Sequence, residues 1–88
     1  MLISKENLKI RNVIEDFEKR IEDMHLEFDK YRCWEIQKMP EWENLEKDLF
    51  IYSKKKIFDL ELTRQLDRVT HKFQNRKRIW LRWVEEMQ

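Results

Sequence analysis

The stretch Lys38-Met39-Pro40-Glu41 lies near the middle of the 88-residue chain and contains its only proline. The proline ring has no N–H to donate and clashes with a preceding helical turn, and it pushes Met39 toward an extended conformation. Proline also suits the first position of a new helix, whose dipole favours Glu41 and Glu43 in the first turn. The stretch therefore predicts a tight turn between two helices, and a short link makes two helices antiparallel neighbours.

Upstream of this turn, apolar residues recur at alternating steps of four and three. They are Ile10, Ile14, Phe17, Ile21, Met24, Phe28 and Tyr31. A sustained period of 3.5 residues is typical of a coiled coil. Ser4 is a candidate N-cap, and Glu6 suits the positive end of the helix dipole. These features predict a first helix over about residues 5–38.

Downstream of the turn, the same spacing appears on both sides of a weak segment, residues 53–59, that contains three consecutive lysines. The apolar residues are Trp42, Leu45, Leu49 and Tyr52 before it, and Leu62, Leu66, Val69, Phe73, Trp80, Trp83 and Met87 after it. One set of positions seven apart runs through both parts, which favours one long second helix over about residues 41–86. The alternative is three helices, with a second break near 53–59 and Asp59 as the cap of the third.

The sequence thus predicts an all-α fold, namely an antiparallel helical hairpin or coiled coil of two long helices that turn at Pro40, in a single domain over 1–88. Its two arms are unequal, because folding at this turn pairs Ile10 with the neighbourhood of Val69. Residues 76–88 then form an overhang of roughly 18 Å without a partner in the chain. Apolar residues on an unpaired helix predict a partner-binding surface. The predicted surface consists of Phe73, Ile79, Trp80, Trp83, Val84 and Met87.

The chain lacks residues that several kinds of catalytic, phosphate-binding and metal-binding site require. The chain has no glycine, on which hairpin strands, phosphate-cradling loops and nucleophile elbows depend. His25, Asp29 and Cys33 follow one stripe of the first helix at intervals of four, but this is no recognised metal-ligand spacing. No base accompanies Cys33 in an activating motif. We therefore predict no catalytic residue, no metal site and no cofactor, and expect that the protein is not an enzyme.

The single cysteine cannot form an internal disulfide and indicates a reducing compartment. No segment approaches the ~18 to 20 apolar residues of a membrane span. Residues 1–12 also contain no apolar run typical of a signal peptide. The sequence predicts a soluble intracellular protein, with the cytoplasm as the first expectation and an organelle as an open alternative.

A basic stripe follows the C-terminal helical segment, with Asp67 as the only acidic residue between positions 64 and 82. The stripe consists of Arg64, Arg68, Lys72, Arg76, Lys77, Arg78 and Arg82. Such a stripe can bind nucleic-acid phosphates, an anionic membrane surface or an acidic protein groove, or it can be the solvated flank of a coiled coil. The net charge of only +1 and the acidic middle of the first helix weigh against a nucleic-acid duplex.

The string Leu62-Thr63-Arg64-Gln65-Leu66-Asp67 resembles the Ser-Gln-Glu-Leu-Asp motif of small helical-hairpin phosphatases that dephosphorylate a sporulation response regulator. Leu66 and Asp67 match, and Thr63 is a conservative change, whereas Arg64 replaces a glutamine and Gln65 a glutamate. The resemblance covers about five residues of the 88. It implies an aspartyl-phosphate phosphatase in which Asp67 is the residue to test.

The aromatic content exceeds what a two-helix body can bury, with four tryptophans, five phenylalanines and two tyrosines. Aromatic residues are enriched in protein interfaces. We therefore expect a non-catalytic protein-protein interaction protein, either a small accessory subunit of a larger assembly or a regulator that binds one target protein. A protein partner or a homo-oligomer supplies the missing burial. The alternatives are a nucleic-acid-binding regulator that uses the basic stripe and, more remotely, the phosphatase-like hairpin.

Overall fold

The computed structural model describes residues 5–87, which form three α-helices and no strand. Helix α1 is Lys5–Arg32, α2 is Trp42–Ser53 and α3 is Leu60–Glu86. The all-α prediction is confirmed, with a second break as in the alternative of three helices. The predicted N-cap, Ser4, lies outside the described residues. None of the helices in 5–87 is long and apolar enough to cross a membrane.

Helix α1 ends at Arg32, earlier than the predicted end near residue 38. The N–H of Trp34 donates to the carbonyl of Tyr31 at 3.1 Å, and the N–H of Glu35 donates to that of Lys30 at 2.8 Å. Trp34 has a φ of 65°, so these bonds form a Schellman motif with a left-handed residue. This local hydrogen bonding ends the helix before the proline does, and Pro40 is buried in the link to α2.

The long second helix predicted over 41–86 is interrupted between Ser53 and Leu60. The Asp59 side chain caps α3, since it accepts the N–H of Leu62 at 3.1 Å. It also accepts the side-chain amide of Asn7 at 3.3 Å, which fixes the start of α3 beside the start of α1. The break has a physical reason. It reverses the direction of the chain after α2, so that the apolar face of α3 packs along the whole of α1.

The three helices run up, down and up. Helix α2 is antiparallel to α1, with Arg20 ion-paired to Asp48 at 3.0 Å and the ring of Phe17 5.8 Å from that of Tyr52. These two helices form the antiparallel hairpin that turns at the Pro40 link. Helix α3 is parallel to α1, because residue numbers increase in the same direction along both helices. Asn7 contacts Asp59 at one end, and Phe28 contacts Trp80 toward the other.

The core lies along the common axis of the three helices and takes residues from each. It consists of Ile10, Ile14, Phe17, Ile21 and Phe28 of α1, Leu45 and Leu49 of α2, and Leu62, Leu66, Val69, Phe73 and Trp80 of α3. All of them occupy the heptad positions of the sequence. Full burial of one such side chain contributes about 1.5–3 kcal/mol, so these residues are the main source of stability.

The C-terminal part of α3 is not an overhang. The indole of Trp80 is 0% exposed and stacks on the ring of Phe28 with centroids 4.9 Å apart. Its N–H donates to Nδ1 of His25 at 3.0 Å. The guanidinium of Arg32 lies 4.1 Å from the ring of Trp83. The predicted overhang is wrong because α3 runs parallel to α1, so its last turns meet the last turns of α1.

Candidate interaction surfaces

The residues of the predicted partner-binding surface do not form one exposed face. Phe73 and Trp80 are buried in the core, with exposed fractions of 1% and 0%. Trp83, Val84 and Met87 are half-buried. Only Ile79 is exposed, at 38%. Burial in the core therefore leaves almost none of the surface of Phe73 and Trp80 for a partner to contact.

His25 holds the buried end of Trp80 in place. Its Nδ1 accepts the indole N–H, so this nitrogen carries no proton. Burial lowers the pKa of His25 below its ordinary value, and the nearby charge of Arg76 lowers it further, while Glu22 opposes the shift. The sequence alone could not reveal this pair, because the two residues are 55 positions apart.

A groove of about 380 Å³ opens between α2 and α3. Its apolar lining comes from Leu49 and Phe73, which are buried, and from Phe50, which is 60% exposed. Polar side chains of both helices surround this lining: Glu43, Glu46, Lys47, Ser53, Thr70 and Gln74. Leu49 and Phe73 thus form a buried floor, and Phe50 is the apolar side chain that a ligand in the groove could reach.

Phe50 and its neighbour Ile51 are the exposed apolar residues of α2, with 60% and 58% of their surface accessible. The ammonium of Lys54 lies 4.3 Å from the centroid of the Phe50 ring. The heptad pattern identifies neither residue, because both lie off the heptad positions Leu49 and Tyr52. Leu49 and Tyr52 already supply the apolar heptad positions of this turn. The two additional large apolar residues between them were the signal that could have indicated an exposed apolar surface.

Phe58 is more exposed still, at 87%, but it lies in the link between α2 and α3 and does not line the groove. The ammonium of Lys56 lies 5.3 Å from its ring. Lys55 pairs with Glu6 at 3.7 Å, which places this link at the α1 N-terminal end of the molecule.

The structure divides the basic stripe into two sets of residues. Lys72 and Arg76 both pair with Glu22, at 2.6 and 3.2 Å. The hydrogen bond from Lys72, and the charge of Arg76, lower the pKa of Glu22, although burial opposes them. Lys77 pairs with Glu46 at 2.6 Å and lies 4.6 Å from the ring of Trp42. These three cations bind α1 and α2 to α3.

The other four cations of the stripe, Arg64, Arg68, Arg78 and Arg82, are exposed. Their side chains form no ion pair or hydrogen bond with any residue in 5–87. Together with the exposed residues His71 and Asn75 they follow α3 at steps of four and three. We call Arg64, Arg68, His71, Asn75, Arg78 and Arg82 the outer ridge. From end to end it measures about 27 Å at 1.5 Å per residue.

The residues considered for metal binding or catalysis do not come together. His25 is bonded to Trp80, Asp29 pairs with Arg32 at 2.8 Å, and Cys33 is exposed just beyond α1. The described part of the chain contains no group of three or more His, Cys, Asp or Glu residues that could hold a metal ion. Asp67, the residue that the phosphatase resemblance identifies, is exposed on α3.

Comparison of the chain with protein-family models, with curated proteins and with solved structures finds no match.

Proposed function

We propose that this chain is a non-catalytic helical interaction protein, a small accessory subunit or a regulator of one target, and that it binds an amphipathic helix of a partner protein in the groove between α2 and α3. The observation that carries the proposal is Phe50, a large aromatic side chain that is 60% exposed at the edge of a groove lined by core residues. Its neighbour Ile51 is 58% exposed but does not line the groove.

The shape of the groove favours a helix as the occupant. Two antiparallel helices that leave a gap on one side bind an amphipathic helix through apolar residues spaced three and four apart. A fourth helix in this position completes a four-helix bundle. Burial of a Phe or Ile side chain contributes about 1.5–3 kcal/mol. Phe50, of which 60% is still exposed, can thus supply about 1–2 kcal/mol of the ~8 kcal/mol of a micromolar complex, and other contacts in the groove supply the rest.

The test compares the wild type with two variants in affinity capture from an extract of the native host. Phe50→Asp places a charge at the groove, whereas Phe58→Asp makes the same change at an exposed aromatic residue outside it. We expect a protein that the wild type and Phe58→Asp both retain and that Phe50→Asp loses by tenfold or more. Captured proteins are then purified, and their affinities for the three chains are measured by calorimetry.

Light scattering extends the same test to a second copy of the chain as the occupant. A homo-oligomer that Phe50→Asp converts to a monomer, and that Phe58→Asp leaves unchanged, supports the groove as an interface. Circular dichroism melting establishes that both variants fold. The proposal is wrong if the wild type is a monodisperse monomer and no captured protein depends on Phe50.

A further inference from the structure

We propose that the outer ridge of α3 is a binding face for duplex DNA and that it enters the major groove. This inference concerns a different face from the groove between α2 and α3, and a different class of partner. It depends on the division of the basic stripe into cations that pair within the molecule and cations that do not.

The charges of the ridge are available to a ligand. Lys72, Arg76 and Lys77 are engaged with Glu22 and Glu46. The four ridge arginines have no such partner among residues 5–87. A guanidinium presents a rigid fork of donors that matches the oxygens of a phosphate.

The order of residues along the ridge suits a helix that lies in the DNA major groove. Arg64 and Arg68 lie at one end and Arg78 and Arg82 at the other, and the two pairs are about 15 Å apart along the helix. The major groove is about 12 Å wide and admits an α-helix. An α3 helix that lies in the groove can bring the arginines at both ends of the ridge to the phosphates that border the groove.

The two residues between the arginine pairs then face the base edges. Asn75 carries a side-chain amide, which can pair with the N6 and N7 positions of adenine. His71 offers an imidazole that can donate to an acceptor on a base. The ridge thus combines phosphate contacts at its ends with groups that distinguish bases at its centre.

A duplex fits the ridge better than the other forms of nucleic acid do. Proteins that bind single strands stack the bases on aromatic residues, and the ridge contains no Phe, Tyr or Trp. The major groove of A-form RNA is too deep and narrow to be read by side chains.

The acidic residues of α1 do not prevent binding. They belong to a helix whose axis lies about 8–10 Å behind that of α3, and at physiological salt the Debye length is about 8 Å. Four exposed carboxylates of α3 lie within one turn of the ridge and offset part of its charge: Asp67 near the middle, and Glu61, Glu85 and Glu86 at its two ends.

The test is fluorescence anisotropy with a labelled duplex of 30 base pairs, between 50 and 300 mM NaCl. Four phosphate contacts predict a slope of log K against log salt of about −3.6. The ridge variant carries Arg64→Gln, Arg68→Gln, Arg78→Gln and Arg82→Gln. We expect this variant to lose affinity by about 100-fold or more at 50 mM NaCl and to lose most of the slope.

The matched control carries Lys5→Gln, Lys9→Gln, Arg11→Gln and Lys30→Gln, which remove the same charge from exposed positions of α1. We expect the affinity of this control for the duplex to be within about threefold of the wild-type affinity. The charges that it lacks attract DNA only at long range, and salt screens that attraction. Asn75→Ala should reduce the preference among duplex sequences and leave the salt slope unchanged. Circular dichroism establishes that each variant folds.

Three results would each overturn the inference. The first is a wild type that does not bind the duplex at 50 mM NaCl. The second is a control variant that loses as much affinity as the ridge variant, which would show a general charge effect. The third is a single strand, of DNA or RNA, that binds as tightly as the duplex.

Discussion

Trp34 shows how the absence of glycine affects individual residues. A helix that ends in a Schellman motif needs one residue in the left-handed conformation, and glycine is the usual choice. This chain has no glycine, and Trp34 takes the position with a φ of 65°. Its indole is 72% exposed, so packing compensates little for the steric cost of its Cβ. That cost is about 1–2 kcal/mol for a residue other than glycine.

We predict that Trp34→Gly stabilises the protein by about 0.5–1 kcal/mol. Glycine relieves the left-handed strain, and the larger freedom of the unfolded chain offsets part of the gain, by about 0.5–1 kcal/mol. Urea unfolding measures the change. Trp34→Ala is the control, because it removes the indole and keeps the Cβ. Equal stabilities for the two variants would contradict the explanation.

The residues of the core were predictable from the sequence, whereas their partners were not. The heptad positions identify Ile14, Phe73 and Trp80 as members of an apolar face, and all three are buried. The same pattern does not state which helix covers that face. The pattern alone therefore predicts Trp80 at a partner-binding surface, and this prediction is wrong because Phe28 and His25 cover the indole.

At the scale of the elements, the number of helices depends on a segment with weak local signals. The Pro40 turn was predictable, because proline ends or begins helices for steric reasons. The break between Ser53 and Leu60 contains no glycine or proline. Its one local signal is Asp59, whose side chain caps α3. A heptad pattern is compatible with one continuous helix or with two, so the choice depends on tertiary packing.

The C-terminal end of α3 is part of the folded unit, and truncation tests this directly. We predict that removal of all residues after Asn75 abolishes cooperative unfolding. The truncation deletes Trp80, and loss of a buried aromatic side chain alone costs about 3–5 kcal/mol. Small domains have only about 5–15 kcal/mol in total. Thermal melting followed by circular dichroism measures the effect.

The control for the truncation is Ile79→Ala, next to Trp80 in the sequence but exposed. We expect a change of about 0.5 kcal/mol for this surface substitution. A truncated chain that melts at the wild-type temperature would show that the last turns of α3 do not belong to the core.

At the scale of the whole molecule, the two proposed surfaces have one structural origin. The second reversal of the chain places α2 and α3 side by side, which creates the groove beside Phe50. It also turns the apolar face of α3 toward α1, so that Lys72 and Arg76 meet Glu22 and the outer ridge faces away from the core. A continuous hairpin would have neither arrangement. The parallel packing of α1 and α3 is therefore the claim on which both proposals depend.

The distance between residues 30 and 82 tests this claim most directly. Spin labels are attached at Lys30→Cys and Arg82→Cys in a Cys33→Ser background, and the interspin distance is measured by pulsed electron resonance. Parallel packing places both positions at the same end of the molecule, where Arg32 meets Trp83. We predict a distance below about 25 Å, since packed helix axes are 8–10 Å apart. A distance near 50 Å, which a continuous hairpin with a rise of ~1.5 Å per residue requires, would contradict the account.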